Sequence, residues 1–317
     1  MVYTTQRNND SGTLLQRYLE QSIGPILTKR YPALHGASGE DVPINTGLEV
    51  GVQELVEEVM SERGSADLVD FAADDFPTVD VDLQERRFPL KVYGVAFRYN
   101  DREILTAERR GKISLRDARI RAARRKLETK INYVVYYGER RVEGFTGLLN
   151  NPDVPSQTLT AVNYYSQTPD TVARMLFDIV NAVDEETNMV EEANVLLVPN
   201  TFYNYIATTR MGDGSDTTIL QFFLQNMPSI RAVRRRNELR ADMLQSHGIE
   251  NDGNHERIVV MSLSPETLQR FVEPVQVTQP LRLSLMNWTV GMYTVTSPVI
   301  VHYPKALRYV RIKRRGA

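Results

Sequence analysis

Hydrophobic and polar positions alternate between residues 79 and 83, where Asp80 and Asp82 separate Val79, Val81 and Leu83. A period of two places one set of side chains on one face of an extended chain, so a half-buried strand is predicted. Past Arg86-Arg87, the apolar residues Phe88, Leu90 and Val92 continue on one phase, and Val95, Phe97 and Tyr99 take the opposite one. Gly94 sits at the switch, which predicts a β-bulge or bend. Together, residues from Val50 to Tyr99 predict a long hairpin with a hinge at its base.

The period then changes. Leu115, Ala118, Ala122, Leu127, Ile131 and Val134 lie near one face of a helix over 115–137. Ser114 is positioned to cap it, with Asp117 three residues on as in a capping box. Twenty-three residues at 1.5 Å per residue make a rod of about 34 Å, long enough to act as a spine. Its other side carries Arg116, Arg119, Arg121, Arg124, Arg125 and Lys126. Directly after it comes Gly144-Phe-Thr-Gly-Leu-Leu-Asn-Asn-Pro-Asp-Val-Pro155, a glycine-proline loop with an apolar centre.

Beyond the loop, Thr168-Pro169-Asp170 opens another helix, with proline at its first position and a wide apolar face through Val172, Met175, Leu176, Ile179, Val180 and Val183. Val195 to Val198 reads as a buried strand, turned by Pro199-Asn200 into a helix through Phe202, Tyr205 and Ile206. Thr217 to Met227 is predicted helical, and Arg257–Leu263, Pro280–Leu285 and the stretch from Thr289 to Ile312 are predicted strands. Residues 1 to about 48 are polar, with only a short amphipathic stretch around Leu14–Ile26, and carry too little apolar content for a core of their own. They read as an arm ordered by lying against something else. Mixed elements with a late return of β-structure give an α+β fold.

Composition narrows the function. The 317 residues include no cysteine, which excludes disulfides, thiolate metal sites and cysteine nucleophiles. No apolar run reaches the roughly 18–20 residues that span a bilayer, and the first ten residues lack a signal-peptide core, so the expected compartment is the cytoplasm and no membrane partner is expected. The net charge of −2 hides an asymmetry. Glu40 to Glu85 holds fourteen acidic residues and one basic residue, Arg63, whereas Arg109 to Lys130 holds ten basic residues and two acidic ones. Such blocks are solvated faces by default, but two opposed blocks also suit pairing between copies of one molecule.

Catalytic chemistry is nearly absent from the pattern. His35, His247, His255 and His302 are scattered without metal-ligand spacing, and His302 reads as structural. No phosphate-cradling glycine loop or nucleophile elbow occurs. Asp80 and Asp82 share a strand face that could hold a hard cation, although the solvated side of a strand explains them as well. No catalytic, metal or cofactor site is assigned, and no enzyme is expected. Two further basic clusters, Arg231/Arg234/Arg235/Arg236/Arg240 and Arg311/Lys313/Arg314/Arg315, are candidates for weak, motif-free phosphate contact.

Taken in order, several segments resemble the Hong Kong 97 fold of tailed-phage major capsid proteins and encapsulin shells. Asp74-Asp-Phe-Pro77 and the strand after it resemble the returning half of that family's E-loop hairpin. Asp101-Arg-Glu-Ile-Leu-Thr-Ala107 resembles the approach to its spine helix, and Phe145-Thr-Gly-Leu-Leu-Asn150 the loop that follows. Ala193-Asn-Val-Leu-Leu-Val-Pro-Asn-Thr-Phe202 resembles the strand-to-helix step early in its A-domain, and Ser297-Pro-Val-Ile-Val-His-Tyr-Pro-Lys-Ala306 the last P-domain strands. The specificity lies in their order, which covers residues from about 50 to 312.

The resemblance implies an N-terminal arm (1–48), an E-loop hairpin region (49–93), a P-domain with the spine helix (94–165), an A-domain (166–287) and a C-terminal return to the P-domain (288–317). It implies a structural protein of the virion, assembled in the host cytoplasm, that builds hexamers and pentamers of an icosahedral head around double-stranded DNA. The partners implied are other copies of the chain, a separate scaffolding protein, a portal, in some relatives a decoration protein, and weak non-specific contact with packaged DNA. An encapsulin-type compartment and a non-assembling nucleic-acid-binding protein are the alternatives. The inter-subunit contact expected on this basis pairs the acidic strip Asp67, Asp70, Asp74, Asp75, Asp80, Asp82 and Glu85 with the basic helix face Arg116, Arg119, Arg121, Arg124, Arg125 and Lys126 of an adjacent copy.

Overall fold

The computed structural model describes residues 32–49, 51–65, 78–103, 115–159, 163–212, 214, 216–250 and 253–313, with backbone only for Leu115 and Arg116. The stretch Leu14–Ile26, the cap at Ser114, the acidic residues Asp67, Asp70, Asp74 and Asp75, and Arg314 and Arg315 lie outside the described residues.

A run such as Val195-Leu-Leu-Val198, apolar at every position, has to be covered on both faces. Strand β6 (Val195–Pro199) accordingly lies inside a five-stranded sheet of order β5-β14-β8-β6-β7, in which β5 is Ser156–Leu159, β14 Leu307–Lys313, β8 His255–Met261 and β7 Ala232–Arg236. The pleat divides its residues between two cores. Leu196, Val198, Ile258, Val260, Val310 and Ile312 face helices α3 (Pro169–Glu186), α4 (Asn200–Thr208) and α5 (Ile219–Asn226). Val195, Leu197, Val259, Met261, Leu307 and Tyr309 face the end of helix α2 (Leu115–Tyr137). All six apolar positions predicted for α3 are buried, and the side chain of Thr168 caps its Thr171 N–H.

Helix α2 has the predicted bounds and buries the predicted Leu127, Ile131 and Val134, but Ala123 replaces Ala122 in the covered stripe. Ala123, Leu127, Ile131 and Val134 are buried, and Ala122 is exposed. The expected step from Ala122 to Leu127 is five residues, whereas steps of four, four and three keep one stripe of a helix together.

The Gly144–Pro155 loop closes this helix. Four carbonyls at a helix C-terminus lack intrahelical partners, and the loop supplies three of the missing donors. Leu148 N–H reaches Val135 O at 2.7 Å, Leu149 N–H reaches Tyr136 O at 2.9 Å, and Asn150 Nδ2 reaches Tyr137 O at 2.9 Å. Asn150 Oδ1 in turn accepts from Gly147 N–H at 2.6 Å. The close approach requires glycine: a Cβ on Gly147 would lie 2.4 Å from the Gly138 nitrogen, and Gly138 itself has φ +71. Leu148 and Leu149, both fully buried, plug the core beside the capped turn.

Strand β4 (Lys91–Asn100) pairs antiparallel with β12 (Asn287–Thr296) over ten consecutive residue pairs, and β10 (Gln276–Val277) and β11 (Leu281–Arg282) flank β12. No bulge interrupts this ladder: Gly94 pairs with Tyr293 in ordinary register. The predicted switch of phase instead falls at Pro89-Leu90. There the chain leaves the hairpin of β2 (Glu54–Arg63) and β3 (Asp80–Pro89) and joins β12, while Leu90 turns into the core.

The last third of the segment expected as an arm packs against its own chain. Helix α1 (His35–Ser38) and strand β1 (Ile44–Asn45) flank Asp41 and Val42, both fully buried. Asp41 accepts from the Tyr136 hydroxyl and from Arg236, whose Nη2 lies at 2.6 Å. Arg236 also reaches Glu40 at 2.8 Å. Burial raises the Glu40 carboxyl, but hydrogen bonds from His35 and Arg236 outweigh it and hold the group below the usual carboxylate range. β1 then pairs in parallel with β9 (Leu268–Phe271), which also carries β13 (Ile300–Val301).

Replacing Asn150 with alanine strips the cap from Tyr137 O and leaves Gly147 N–H without its acceptor. The expected loss is about 1–3 kcal/mol, measured as a lowered urea midpoint with an unchanged slope.

Candidate assembly interface

The β2–β3 hairpin pairs ten residues of each strand, from Glu54 opposite Pro89 to Arg63 opposite Asp80. Directly opposed residues share a face. One face holds Leu55, Val59 and Phe88, all half-buried, with Glu57 opposite Arg86. Its base is tied down by His302. Gln269 Nε2 donates to His302 Nε2 at 3.0 Å, which leaves the Nδ1 proton of His302 to donate to Glu57. The structural role expected of His302 is therefore that of a clip between the hairpin and β13.

The other face is exposed and mixed, with apolar side chains interleaved with Glu54, Glu58, Glu62, Glu85 and Arg87. Val56 is 53% exposed, Met60 69%, Val79 66%, Val81 49% and Leu83 61%, with Met60 directly opposite Leu83. The alternation predicted for Val79, Val81 and Leu83 is present, but the burial it implied is not supplied among the described residues. A second uncovered group, Leu281, Leu283 and Leu285, lies at β11 and the turn into β12. The strand expected over Pro280–Leu285 is confined to Leu281–Arg282.

The residues expected to pair across subunits are distributed as follows. Asp80, Asp82 and Glu85 lie exposed on β3. Asp80 accepts from the Val81 N–H at 2.8 Å, and Glu85 pairs with Arg87 at 3.2 Å. On α2, Arg119 donates to Arg98 O at 2.7 Å and pairs with Glu103 at 2.8 Å, and Arg124 pairs with Glu128 at 3.1 Å. Arg125 is half-buried and engaged within the chain. Arg121 and Lys126 are exposed, with no ion pair among the described residues. Among the described residues, acidic side chains of β3 and basic side chains of α2 are thus both exposed, and Arg121 and Lys126 are the helix cations of the expected face without an ion pair.

The second basic cluster is largely taken up inside the chain. On β7, Arg234 and Arg236 project to one side and grip Glu40 and Asp41, while Arg235 projects to the other and lies over the Tyr203 ring at 6.0 Å. Arg240 pairs with Asp242 and Arg311 with Glu250. Sequence reasoning missed the anchor of Asp41, Tyr136 and Arg236. The available signal was the period of two in Arg234-Arg235-Arg236, which on a strand sends two of three arginines the same way. Among the described residues, no group of His, Asp and Glu side chains could hold a metal ion, and no helix is long and apolar enough to cross a membrane.

The family model described as "Major capsid protein" matches residues 64–311. The chain belongs to the major capsid protein family. Its fold is the Hong Kong 97 fold, an α+β architecture shared with solved phage capsids. The capsid of Myoviridae phage XM1 superimposes with a TM-score of 0.78 at 17% identity, covering 93% of this chain and 97% of that one. Gordonia phage Cozz gives 0.63 at 13% identity, covering 95% and 93%. A virus-like particle from Pyrococcus furiosus gives 0.52 at 12% identity, covering 87% and 95%. No curated protein matches the chain in sequence. As a major capsid protein it is a structural component of the virion capsid, and the uncovered hairpin belongs to a molecule that builds a multimeric shell.

Proposed function

We propose that copies of this major capsid protein assemble as hexamers and pentamers of an icosahedral phage head enclosing double-stranded DNA, and that the β2–β3 hairpin is stabilised by a neighbouring subunit. The observation that carries this reading is the uncovered row Val56, Met60, Val81 and Leu83. A two-stranded ribbon is marginal in water without a covering layer. Burying one large apolar side chain contributes about 1.5–3 kcal/mol, against roughly 0–1 kcal/mol for an exposed ion pair. Apolar cover from the neighbour therefore provides most of the affinity.

In the proposed contact, Asp67, Asp70, Asp74, Asp75, Asp80, Asp82 and Glu85 face the basic side of α2 in an adjacent copy. Their part is steering and register. Because Arg119 and Arg124 have partners within their own chain, Arg121 and Lys126 carry the pairing. The division into arm, hairpin, P-domain and A-domain follows the same reading. So does the expectation of a separate scaffolding protein and portal in head assembly.

Electron microscopy of the purified protein tests the shell directly: closed particles support it, and small soluble oligomers at all concentrations contradict it. Nucleic acid inside particles isolated from infected cells separates a phage head from an encapsulin-type compartment.

The double substitution Met60→Asp/Leu83→Asp is expected to abolish shells and leave the unfolding free energy of the unassembled chain within about 1 kcal/mol of the parent, as for exposed positions. Normal shells from this variant would contradict the proposed covering of the hairpin. Arg121→Glu/Lys126→Glu is expected to slow assembly at low salt, with the difference shrinking as salt screens the charges. Equal assembly rates across the salt series would remove the charge pairing from the account.

A further inference from the structure

Where helix α2 hands over to the central sheet, a cavity of about 360 Å³ is lined by Arg140, Asn151, Ser156, Gly248, Arg257 and Tyr309, among others. Its electrostatics are unbalanced. The Arg257 side chain is 9% exposed, and its Nη2 donates to Glu250 Oε1 at 2.7 Å. Behind it, Arg311 Nη2 lies 2.6 Å from the other oxygen of the same carboxylate. One carboxylate thus faces two guanidinium groups, and the Nε atoms of both arginines are buried without a partner.

Arg140 adds a third cation, with no partner among the described residues. Its guanidinium lies against the backbone of Gly248, where an added Cβ would come within 1.7 Å of Nη2. Gly248 has φ +58, so both its conformation and its missing side chain make room for Arg140. Of the residues that line the cavity only Arg140 and Arg257 are charged, a formal +2, and the lining also offers the Ser156 hydroxyl and the Asn151 amide. Arg140 is exposed, Arg257 and Arg311 share the single carboxylate of Glu250, and a guanidinium fork matches the spacing of two oxygens on one anion.

We propose that this cavity is a binding site for a phosphate monoester dianion, either free inorganic phosphate or the terminal phosphate of a small metabolite. A phosphate monoester carries about −1.5 to −2 at neutral pH, which offsets the local +2. A carboxylate or a phosphodiester, with a single charge, offsets half of it. Arg140 is the residue that closes on the anion, and Arg257, held by Glu250, forms the wall behind it. This site does not depend on the assembly proposal.

Equilibrium dialysis of the full chain against radiolabelled inorganic phosphate tests it, near neutral pH and with ionic strength held constant by chloride. Saturable binding of one phosphate per chain is expected. It should weaken about tenfold or more in Arg140→Ala, as for loss of a charged hydrogen-bond partner, and remain unchanged in Arg174→Ala, an exposed arginine paired with Asp170 on α3. A nucleoside monophosphate is expected to compete, whereas acetate and an oligothymidylate lacking terminal phosphates are not. Non-saturable uptake, or equal binding by Arg140→Ala, would overturn the site. Competition by acetate or by the oligothymidylate at the same concentration would overturn the assignment to a monoester dianion.

Discussion

A two-stranded ribbon has two faces, and among the described residues only the base of one of them is covered. Leu55, Val59 and Phe88 rest partly on the body, and His302 clips Glu57. The opposite row of Val56, Met60, Val81 and Leu83 has no cover. Hydrophobic burial is the main favourable term in folding and in most protein association, and in the proposed assembly this face is the one a second molecule covers. The remaining features give that requirement a rigid support. The five-stranded sheet is buried on both sides, and the spine helix is capped by its own loop.

That support depends on buried polar contacts as well as on apolar packing. The Asp41–Arg236–Tyr136 group joins the segment around α1 to the end of α2 and the edge strand β7, over almost two hundred residues of sequence. Removing one member of such a group leaves a buried charge uncompensated, which is costly. The contact therefore fixes where the segment before the hairpin leaves the body, and so where the hairpin starts. Order runs from the central sheet through α2 to this anchor, and then to the ribbon.

The sequence was most informative where one periodicity governed a whole element. The apolar face of α3 and the bounds of α2 were readable because burial within one chain follows the repeat of the backbone. The Gly144–Pro155 loop was recognisable as a feature, but its role as a cap was not, since hydrogen bonds from Leu148, Leu149 and Asn150 to α2 require the loop to fold back. Gly94 misled for a related reason. A slip in alternation marks a change of partner strand as readily as a bulge, and here the change occurs at Pro89-Leu90. The Asp41–Arg236 contact is a long-range pairing hinted at only by the period of two in Arg234-Arg235-Arg236, and the cavity around Arg140 and Arg257 has no local pattern to announce it. At the hairpin, the alternation of Val79, Val81 and Leu83 signalled a strand, but the half-burial it predicted is absent among the described residues.

Hydrogen exchange of the free subunit and of the assembled shell measures the borrowed stability most directly. The account predicts that the amides of Glu54–Arg63 and Asp80–Pro89 exchange quickly in the free subunit and slowly in the shell, while those of Val195–Pro199 and His255–Met261 are slow in both. Strong protection of the hairpin amides in the free subunit would show that one molecule stabilises its own ribbon, and would contradict the account.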